Sequence, residues 1–166
     1  MAEYQHIQRQ FGPVFSCESK ILILGSFPSV KSREANFFYG HPQNRFWPLL
    51  SRLLESETPK TVEEKTSLLL ENNIALWDTL DACDIIGSDD ASIKNAVPVD
   101  ISLVLNAANI REIYCNGTAS YKLFMKHLYP LCGIEPKKLP STSPANAAWN
   151  MDRLYEAWKV VLKELK

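Results

Sequence analysis

The sequence predicts an α/β fold, a three-layer α/β/α sandwich around a central sheet of four parallel strands. Short apolar runs that end at turn residues alternate with segments whose apolar residues recur at helical spacing. This alternation is typical of a parallel sheet that is covered by helices on both faces. The length of 166 residues favours one domain, residues 1–166, with a core of its own.

Four segments are predicted to be the strands of this sheet, and they are 20–25, 74–77, 112–115 and 137–140. The first, KILILG, is apolar up to a glycine, as expected of a strand that is buried on both faces. The third, EIYC, ends at Asn116 and Gly117, and the fourth has the weakest pattern. Residues 84–98 are polar, and we expect them to form a loop.

Five segments have the apolar spacing of helices, and they are 46–54, 61–72, 101–108, 118–131 and 154–165. Thr61 and Glu64 form a capping box, and Asp100 is placed to cap the third helix. Thr118 is expected to cap the fourth helix, and Gly133 is expected to end it.

Composition and charge exclude several classes of protein. Hydrophobic residues make up 46% of the chain and charged residues 22%, which is ordinary for a globular protein. The net charge of −1 excludes a wholly basic nucleic-acid binder, although a local basic patch still binds phosphates. No apolar run approaches the roughly 20 residues of a membrane span, and no secretory signal is visible at the start. We therefore expect a cytoplasmic protein, or a nuclear one in a eukaryote.

The four cysteines do not form a CxxC pair, so buried thiols are favoured over a zinc or iron–sulfur site, and we expect no metal and no cofactor.

Small and polar residues follow each predicted strand. The four segments are GSFPS at 25–29, DTL at 78–80, NGT at 116–118 and STSPAN at 141–146. Ligands of parallel sheets bind outside the carboxyl ends of the strands. The sequence therefore predicts a binding site where these four segments meet.

Two of these segments carry a resemblance to a known family. Residues 25–47, GSFPSVKSREANFFYGHPQNRFW, resemble the first motif of the uracil-DNA glycosylase superfamily, and HPQNRFW is similar to its mismatch-specific uracil/thymine branch. The loop LPSTSPAN at 139–146 resembles the second motif, a DNA-intercalating loop. With IALWD and NGTAS in the same order, residues 20–165 most resemble the hypoxanthine-DNA glycosylase (DNA-deoxyinosine glycosylase) family.

The resemblance implies an enzyme of DNA base-excision repair that binds DNA containing a deaminated base, as a monomer and without a membrane. The implied reaction is hydrolysis of the N-glycosidic bond between the deoxyribose and the damaged base, with hypoxanthine as the favoured base. The enzyme would be a monofunctional glycosylase that leaves an abasic site. The alternatives are a uracil/thymine mismatch glycosylase, a non-catalytic binder of damaged DNA and a nucleoside hydrolase.

Two positions depart from the superfamily pattern. Relatives carry Asn or Asp where this chain has Phe27, and phenylalanine cannot orient the attacking water. Ser141 stands where many relatives have a histidine. Both departures disfavour the usual route of uracil excision.

Asn44 and Asp78 are the predicted catalytic residues. The resemblance implies that Asn44, in the HPQN segment, holds the water below the sugar while its carbonyl stabilises positive charge. The alternative for Asn44 is a helix N-cap. Asp78 is predicted to accept a hydrogen bond from N1–H of hypoxanthine or to stabilise the cationic sugar, and its alternative is the cap of a turn.

Five residues are predicted to bind the base, and they are Gly25, Ser26, Phe27, Tyr39 and Asn116. The ring of Tyr39 would stack on the extruded base, which must regain the stacking it loses in the duplex. The turn after the first strand would offer backbone N–H groups. In the alternative, Tyr39 and Phe27 fill the core, as we expect for Phe37 and Phe38.

Seven residues are predicted to contact DNA, and they are Lys31, Arg33, Ser141, Thr142, Ser143, Pro144 and Asn146. The small hydroxyl residues allow close approach of the loop to the duplex, and the basic residues would bind phosphates. Arg45, Lys137 and Lys138 flank the expected mouth as further phosphate ligands. The alternatives are an ordinary Pro/Ser turn and solvated surface charges.

Overall fold

The computed structural model describes residues 3–166. Its strands are β1 (Gln5–Gln8), β2 (Ile21–Gly25), β3 (Ile74–Asp78), β4 (Leu80–Ile85), β5 (Lys94–Pro98), β6 (Glu112–Asn116) and β7 (Lys137–Leu139). Its α-helices are α1 (Val30–Ala35), α2 (Phe46–Leu53), α3 (Val62–Glu71), α4 (Ser102–Leu105), α5 (Thr118–His127), α6 (Tyr129–Cys132), α7 (Met151–Trp158) and α8 (Val161–Glu164).

The central sheet has the predicted four parallel strands, in the order β3-β2-β6-β7. Every residue of β2 and β3 is buried, because these apolar strands are covered on both faces. The predicted α/β class and all four predicted strands are therefore confirmed. The carboxyl ends of β2, β3, β6 and β7 point to one edge, which collects the polar segments that follow them.

The expectation of a loop over residues 84–98 is wrong. Much of that segment belongs to a second sheet, antiparallel and in the order β1-β4-β5. Its outer strands β1 and β5 are largely exposed, so they carry little of the apolar alternation that indicates a strand. Register shifts between β4 and β5 weaken the pattern further. A small core forms where Phe27 packs with apolar residues of β4.

The helix boundaries agree in part with the predicted caps. Thr61 accepts a hydrogen bond from the N–H of Glu64, and Asp100 accepts one from the N–H of Ser102. Thr118 is not the cap, because it is the first residue of α5 and Gly117 occupies the N-cap position. The expected helix 118–131 is divided into α5 and α6 near Pro130, and Gly133 ends α6 in the left-handed conformation.

The helix α1 was not predicted, and Ser29 caps its N-terminus with a hydroxyl that accepts from the N–H of Ser32. The last predicted helix is divided in the same way, into α7 and α8.

An aromatic cluster anchors the first motif to the core. Phe37 and Phe38 are buried as expected and meet edge to face, with ring centroids 5.4 Å apart. Trp47 at the start of α2 donates its indole N–H to the backbone oxygen of Phe38 over 3.1 Å. This packing fixes the chain on both sides of Tyr39 and Asn44. Within residues 3–166, no helix is long and apolar enough to cross a membrane.

The packing of α7 allows a first prediction. Leu154 is fully buried in the main core, so Leu154→Ala should lower the free energy of unfolding by about 2–5 kcal/mol in urea denaturation. Leu131 is 76% exposed, so the control Leu131→Ala should change it by less than about 0.5 kcal/mol. Equal losses for the two variants would contradict this description of the core.

Candidate active site

A cavity of about 270 Å³ lies at the edge of the central sheet where the four strands end. Predicted residues that line it are Gly25, Ser26, Phe27, Tyr39, Asn44, Asp78, Asn116, Ser141, Thr142, Ser143 and Pro144. The segments that follow β2, β3, β6 and β7 all contribute to its wall. The cavity is close in volume to the small-molecule sites of other proteins, which begin at about 300 Å³. The topology therefore brings the two motifs together, as the strand order predicts.

Three predicted DNA-binding residues do not line the cavity. Lys31 is exposed and pairs with Glu34, with 3.4 Å between the charged atoms. Arg33 donates to the backbone oxygen of Gly87 over 3.1 Å, and its guanidinium lies over the ring of Phe27. Asn146 donates to the backbone oxygen of Ser141 over 3.0 Å, so its amide holds the second-motif loop in shape. Their contact with DNA stays a prediction.

Asn44 lies both at the cavity and beside the start of α2, and its catalytic role stays a prediction. It lines the cavity, and its side-chain oxygen is held at the start of α2. That Oδ1 accepts a hydrogen bond from the N–H of Phe46 over 2.9 Å and another from the hydroxyl of Thr142 over 2.9 Å. The carbonyl group that we expected to face the sugar is therefore occupied by the protein itself.

Thr142 is the residue that joins the second motif to the rest of the site. It is fully buried, and its N–H donates to Oδ1 of Asn116 over 3.1 Å. Nδ2 of Asn116 donates in return to the Thr142 hydroxyl over 3.0 Å. The geometry thus gives Thr142 a part in holding Asn44 and Asn116, and it gives no support for a direct contact between its side chain and DNA.

Arg45 has a role that the sequence did not indicate. Its guanidinium points back into the second-motif loop and donates to the backbone oxygens of Ser143 and Asn146 over 2.8 and 3.2 Å, and also to that of Trp149. The backbone N–H of Arg45 donates to the backbone oxygen of Thr142 over 3.0 Å. Because these carbonyls occupy the guanidinium, Arg45 stabilises the loop rather than facing a phosphate.

Asp78 is held by a buried partner that was missed. Oδ2 of Asp78 pairs with Nη1 of Arg9, and the two side chains are only 6% and 3% exposed. Arg9 also donates to the backbone oxygen of Phe11 over 3.0 Å. Burial raises the pKa of Asp78, and the charge of Arg9 opposes that rise. No local pattern reveals this pair, because it spans 69 positions and depends on the β1–β4 pairing.

The floor of the cavity depends on a close approach at Gly25. A side-chain carbon at this position would overlap Oδ1 of Asp78 and lie 3.1 Å from the hydroxyl oxygen of Tyr39. Gly117 is constrained in the same way, since it has a φ of +95° and a carbon there would lie 3.0 Å from Cβ of Ser141. Gly25 thus leaves room in the cavity wall for Asp78 and Tyr39, and Gly117 leaves room for Ser141.

Tyr39 is set in an unusual conformation. It is a non-glycine residue with a φ of +52°, and its ring stacks on Phe46 with centroids 4.2 Å apart. One face of the ring is thus covered, and stacking on a base would use the other face. Its hydroxyl is buried near Asp78 and Asn116, and it forms no hydrogen bond of good geometry within residues 3–166. Burial raises the pKa of this hydroxyl, and the nearby Asp78 raises it further.

A second carboxylate, Asp90, also lines the cavity and was not predicted. It lies on a single 3₁₀ turn, Asp90–Ser92, that follows β4 in the antiparallel sheet. The hydroxyl of Ser26 donates to its Oδ1 over 2.8 Å. Burial raises the pKa of Asp90, while the hydrogen bond from Ser26 lowers it. Asp90 was not predicted because residues 84–98 were expected to form a loop, and the sequence does not show whether such a loop reaches the site.

Two named relatives are similar to this chain over most of its length. A hypoxanthine DNA glycosylase of Methanosarcina acetivorans is 34% identical to it over 95% of this chain and 99% of the relative. A protein of the same name from Methanosarcina barkeri is 33% identical over 82% and 86%. Comparison with models of known protein families gives no match.

A solved structure is similar to the fold itself. The solution NMR structure of a candidate uracil DNA glycosylase from Methanosarcina acetivorans superposes with a TM-score of 0.81 and 32% sequence identity. The superposition covers 97% of this chain and 99% of that protein.

The fold, the pocket at the strand ends and these likenesses define a DNA glycosylase with the uracil-DNA glycosylase fold, an enzyme that hydrolyses N-glycosidic bonds. The chain belongs to the hypoxanthine DNA glycosylase family. The resemblance of the two motifs is thereby confirmed.

The buried ion pair of Asp78 gives the second prediction. Arg9→Met leaves the Asp78 carboxylate buried without its partner, so the free energy of unfolding at neutral pH should fall by about 3–5 kcal/mol. The exposed pair between Arg52 and Asp152 provides a matched control, and Arg52→Met should cost less than about 1 kcal/mol.

The pH dependence of this variant has a definite sign. In the folded variant the raised pKa of Asp78 lies above its unfolded value, so the folded state binds more protons between the two values. The free energy of unfolding of Arg9→Met should therefore rise on acidification through that range and fall as the pH rises. The further change Asp78→Asn should remove this dependence. A deficit that stays constant with pH would show that Asp78 is not the group responsible.

Proposed function

We propose that this protein excises hypoxanthine from DNA as a monomeric, single-domain enzyme of the cytoplasm, and that it leaves an abasic site. The observation that carries the proposal is the shared cavity, in which Asn44, Asp78 and Tyr39 meet the second-motif loop. The names of the two relatives support hypoxanthine as the base. The departure at Phe27 supports it further, because the usual water-orienting side chain of uracil excision is missing.

Binding would begin with the second-motif loop at 141–146. Arg45 holds this loop rigidly against the first motif, so the loop can press on the duplex without collapsing. The damaged nucleotide would then rotate out of the helix and into the cavity. Unpairing is easier for a mispaired base than for a normal one, which favours hypoxanthine over undamaged purines.

Asp78 would read the extruded base. Oδ2 of Asp78 is bound to Arg9, while Oδ1 lies against Gly25 at the cavity and is left to accept a hydrogen bond from the base. An ionised carboxylate accepts the N1–H of hypoxanthine, whereas adenine has only a lone pair at N1 and would be repelled. The free face of Tyr39 would stack on the purine ring.

Negative charge at the cavity would stabilise the positive charge that develops on the sugar as the base departs. Breaking the glycosidic bond gives the sugar oxocarbenium character, and the carboxylates of Asp78 and Asp90 both line the cavity. Water attacks the anomeric carbon from the opposite side. The part of the chain that the structure describes contributes no lysine to the cavity wall, which agrees with hydrolysis by water rather than through a Schiff base.

A panel of labelled duplexes tests this proposal. We expect release of hypoxanthine, with an abasic product that alkali cleaves, to exceed release of uracil, xanthine or mismatched thymine. Asn44→Ala should lower the rate by at least about 100-fold. Asn109 is exposed and precedes β6, so it lies at the opposite end of the sheet, and Asn109→Ala should keep the full rate.

The same panel contains the outcomes that oppose the proposal. Efficient release of uracil with little release of hypoxanthine would favour the uracil activity named for the structural relative. Binding of damaged duplex without any abasic product under single-turnover conditions would favour a non-catalytic binder.

The floor of the cavity gives a further prediction. Gly25→Ala places a methyl group against Oδ1 of Asp78, so the carboxylate must move and base release should fall by about 100-fold. Binding of undamaged duplex should be unchanged, because the surface loop is not altered. Gly12 has open space around it, and Gly12→Ala should retain the full rate. Undiminished base release by Gly25→Ala would remove Asp78 from the proposed recognition.

A further inference from the structure

We propose that Asn44 acts on the excised base as a hydrogen-bond donor, and that Thr142 is the positioning residue that fixes this orientation. The inference rests on the proposed function and assigns the chemistry of its main polar residue. It differs from the sequence expectation, in which the carbonyl group of Asn44 faced the sugar and the water.

The backbone N–H of Thr142 fixes the orientation of the Asn116 amide. The backbone N–H of Thr142 can only donate, and it lies 3.1 Å from one side-chain atom of Asn116. That atom must therefore be the amide oxygen. The other atom is then the NH₂ nitrogen, and it donates to the hydroxyl oxygen of Thr142 over 3.0 Å.

The single hydroxyl proton of Thr142 then identifies the side-chain oxygen of Asn44. Because the oxygen already accepts from Asn116, its own proton is directed to the remaining partner, Oδ1 of Asn44, at 2.9 Å. The backbone N–H of Phe46, which also can only donate, lies 2.9 Å from the same atom of Asn44. Two donors on one atom identify it as the amide oxygen.

The NH₂ group of Asn44 is therefore the part left for a ligand. Within residues 3–166 this nitrogen donates to no acceptor, and it is accessible rather than buried. Because Asn44 lines the cavity, its two N–H bonds are available there to a bound molecule.

A donor at this place suits the leaving base better than the sugar. When the bond between C1′ and N9 breaks, its electron pair passes to the purine, whose N3, N7 and O6 accept hydrogen bonds. The water oxygen forms the new bond to C1′, and the proton it loses neutralises the departed base. A donor to the base strengthens as negative charge develops, whereas an N–H group aimed at the cationic sugar would oppose the reaction.

Asn44→Asp separates the two roles. The variant keeps the shape of the side chain and one oxygen for Phe46 and Thr142, but it presents an acceptor in place of the NH₂ group. If Asn44 is a donor, the single-turnover rate of hypoxanthine release should fall by at least about 100-fold, as in Asn44→Ala. If Asn44 works through an oxygen, the carboxylate should serve as well, and a rate within about fivefold of the wild type would overturn the inference.

Variants of Thr142 test the positioning role. Thr142→Val keeps the shape but cannot hold the carbonyl of Asn44, so the rate should fall by about tenfold while the Kd for duplex stays within about threefold. Thr142→Ser retains the hydroxyl and should restore the rate. A valine variant as fast as the wild type, or a serine variant as slow as the valine one, would contradict the role. Melting curves of both variants confirm that each is folded.

A binding measurement distinguishes failure of this inference from failure of the proposed function. A duplex with the 2′-fluoroarabino analogue of deoxyinosine resists hydrolysis, so it reports contacts whether or not the enzyme turns over. The side-chain N–H signals of Asn44 in ¹⁵N NMR should move downfield with this duplex and stay unchanged with undamaged duplex. Unchanged signals with both duplexes would overturn the inference, while a wild type that shows the shift without releasing base would overturn only the proposed function.

Discussion

The site depends on Thr142, through which the two motif loops are held to each other. Its backbone oxygen accepts from the N–H of Arg45, its N–H donates to Asn116, and its hydroxyl bonds to both Asn116 and Asn44. Each backbone and side-chain polar group of this fully buried residue is thus paired. The bonds connect the end of β6, the start of α2 and the second-motif loop, so a shift in any one of them would move Asn44.

The antiparallel sheet gives the glycosylase fold its second set of polar groups. It carries Arg9, which follows β1 and neutralises Asp78, and it carries Asp90, which follows β4. Arg9 keeps one oxygen of Asp78 engaged, and its charge opposes the rise in the pKa of Asp78 that burial causes. The central sheet thus provides the rim of the cavity, and the smaller sheet provides much of its electrostatics.

The sequence predicted those parts of the protein that short-range patterns encode. The four buried parallel strands are mostly short apolar runs, and their carboxyl ends had to share one edge, so residues such as Asp78, Asn116 and Ser143 could be expected near each other. Asn44 was placed at the site by the resemblance of the first motif. The antiparallel sheet was missed because polar edge strands are held by backbone hydrogen bonds, which leave little trace in side-chain order. Arg45 was misjudged for a similar reason, since its loop carbonyl partners are backbone groups of any residue type.

Under the proposed function, a deaminated purine leaves the double helix and enters the cavity at the strand ends. A crystal structure of the enzyme bound to a duplex with a non-hydrolysable deoxyinosine analogue tests it most directly. We expect the purine to lie against Tyr39, with N1–H directed at Asp78 and the loop 141–146 inserted in the duplex. A purine still stacked in the helix, or one bound away from these residues, would contradict the claim.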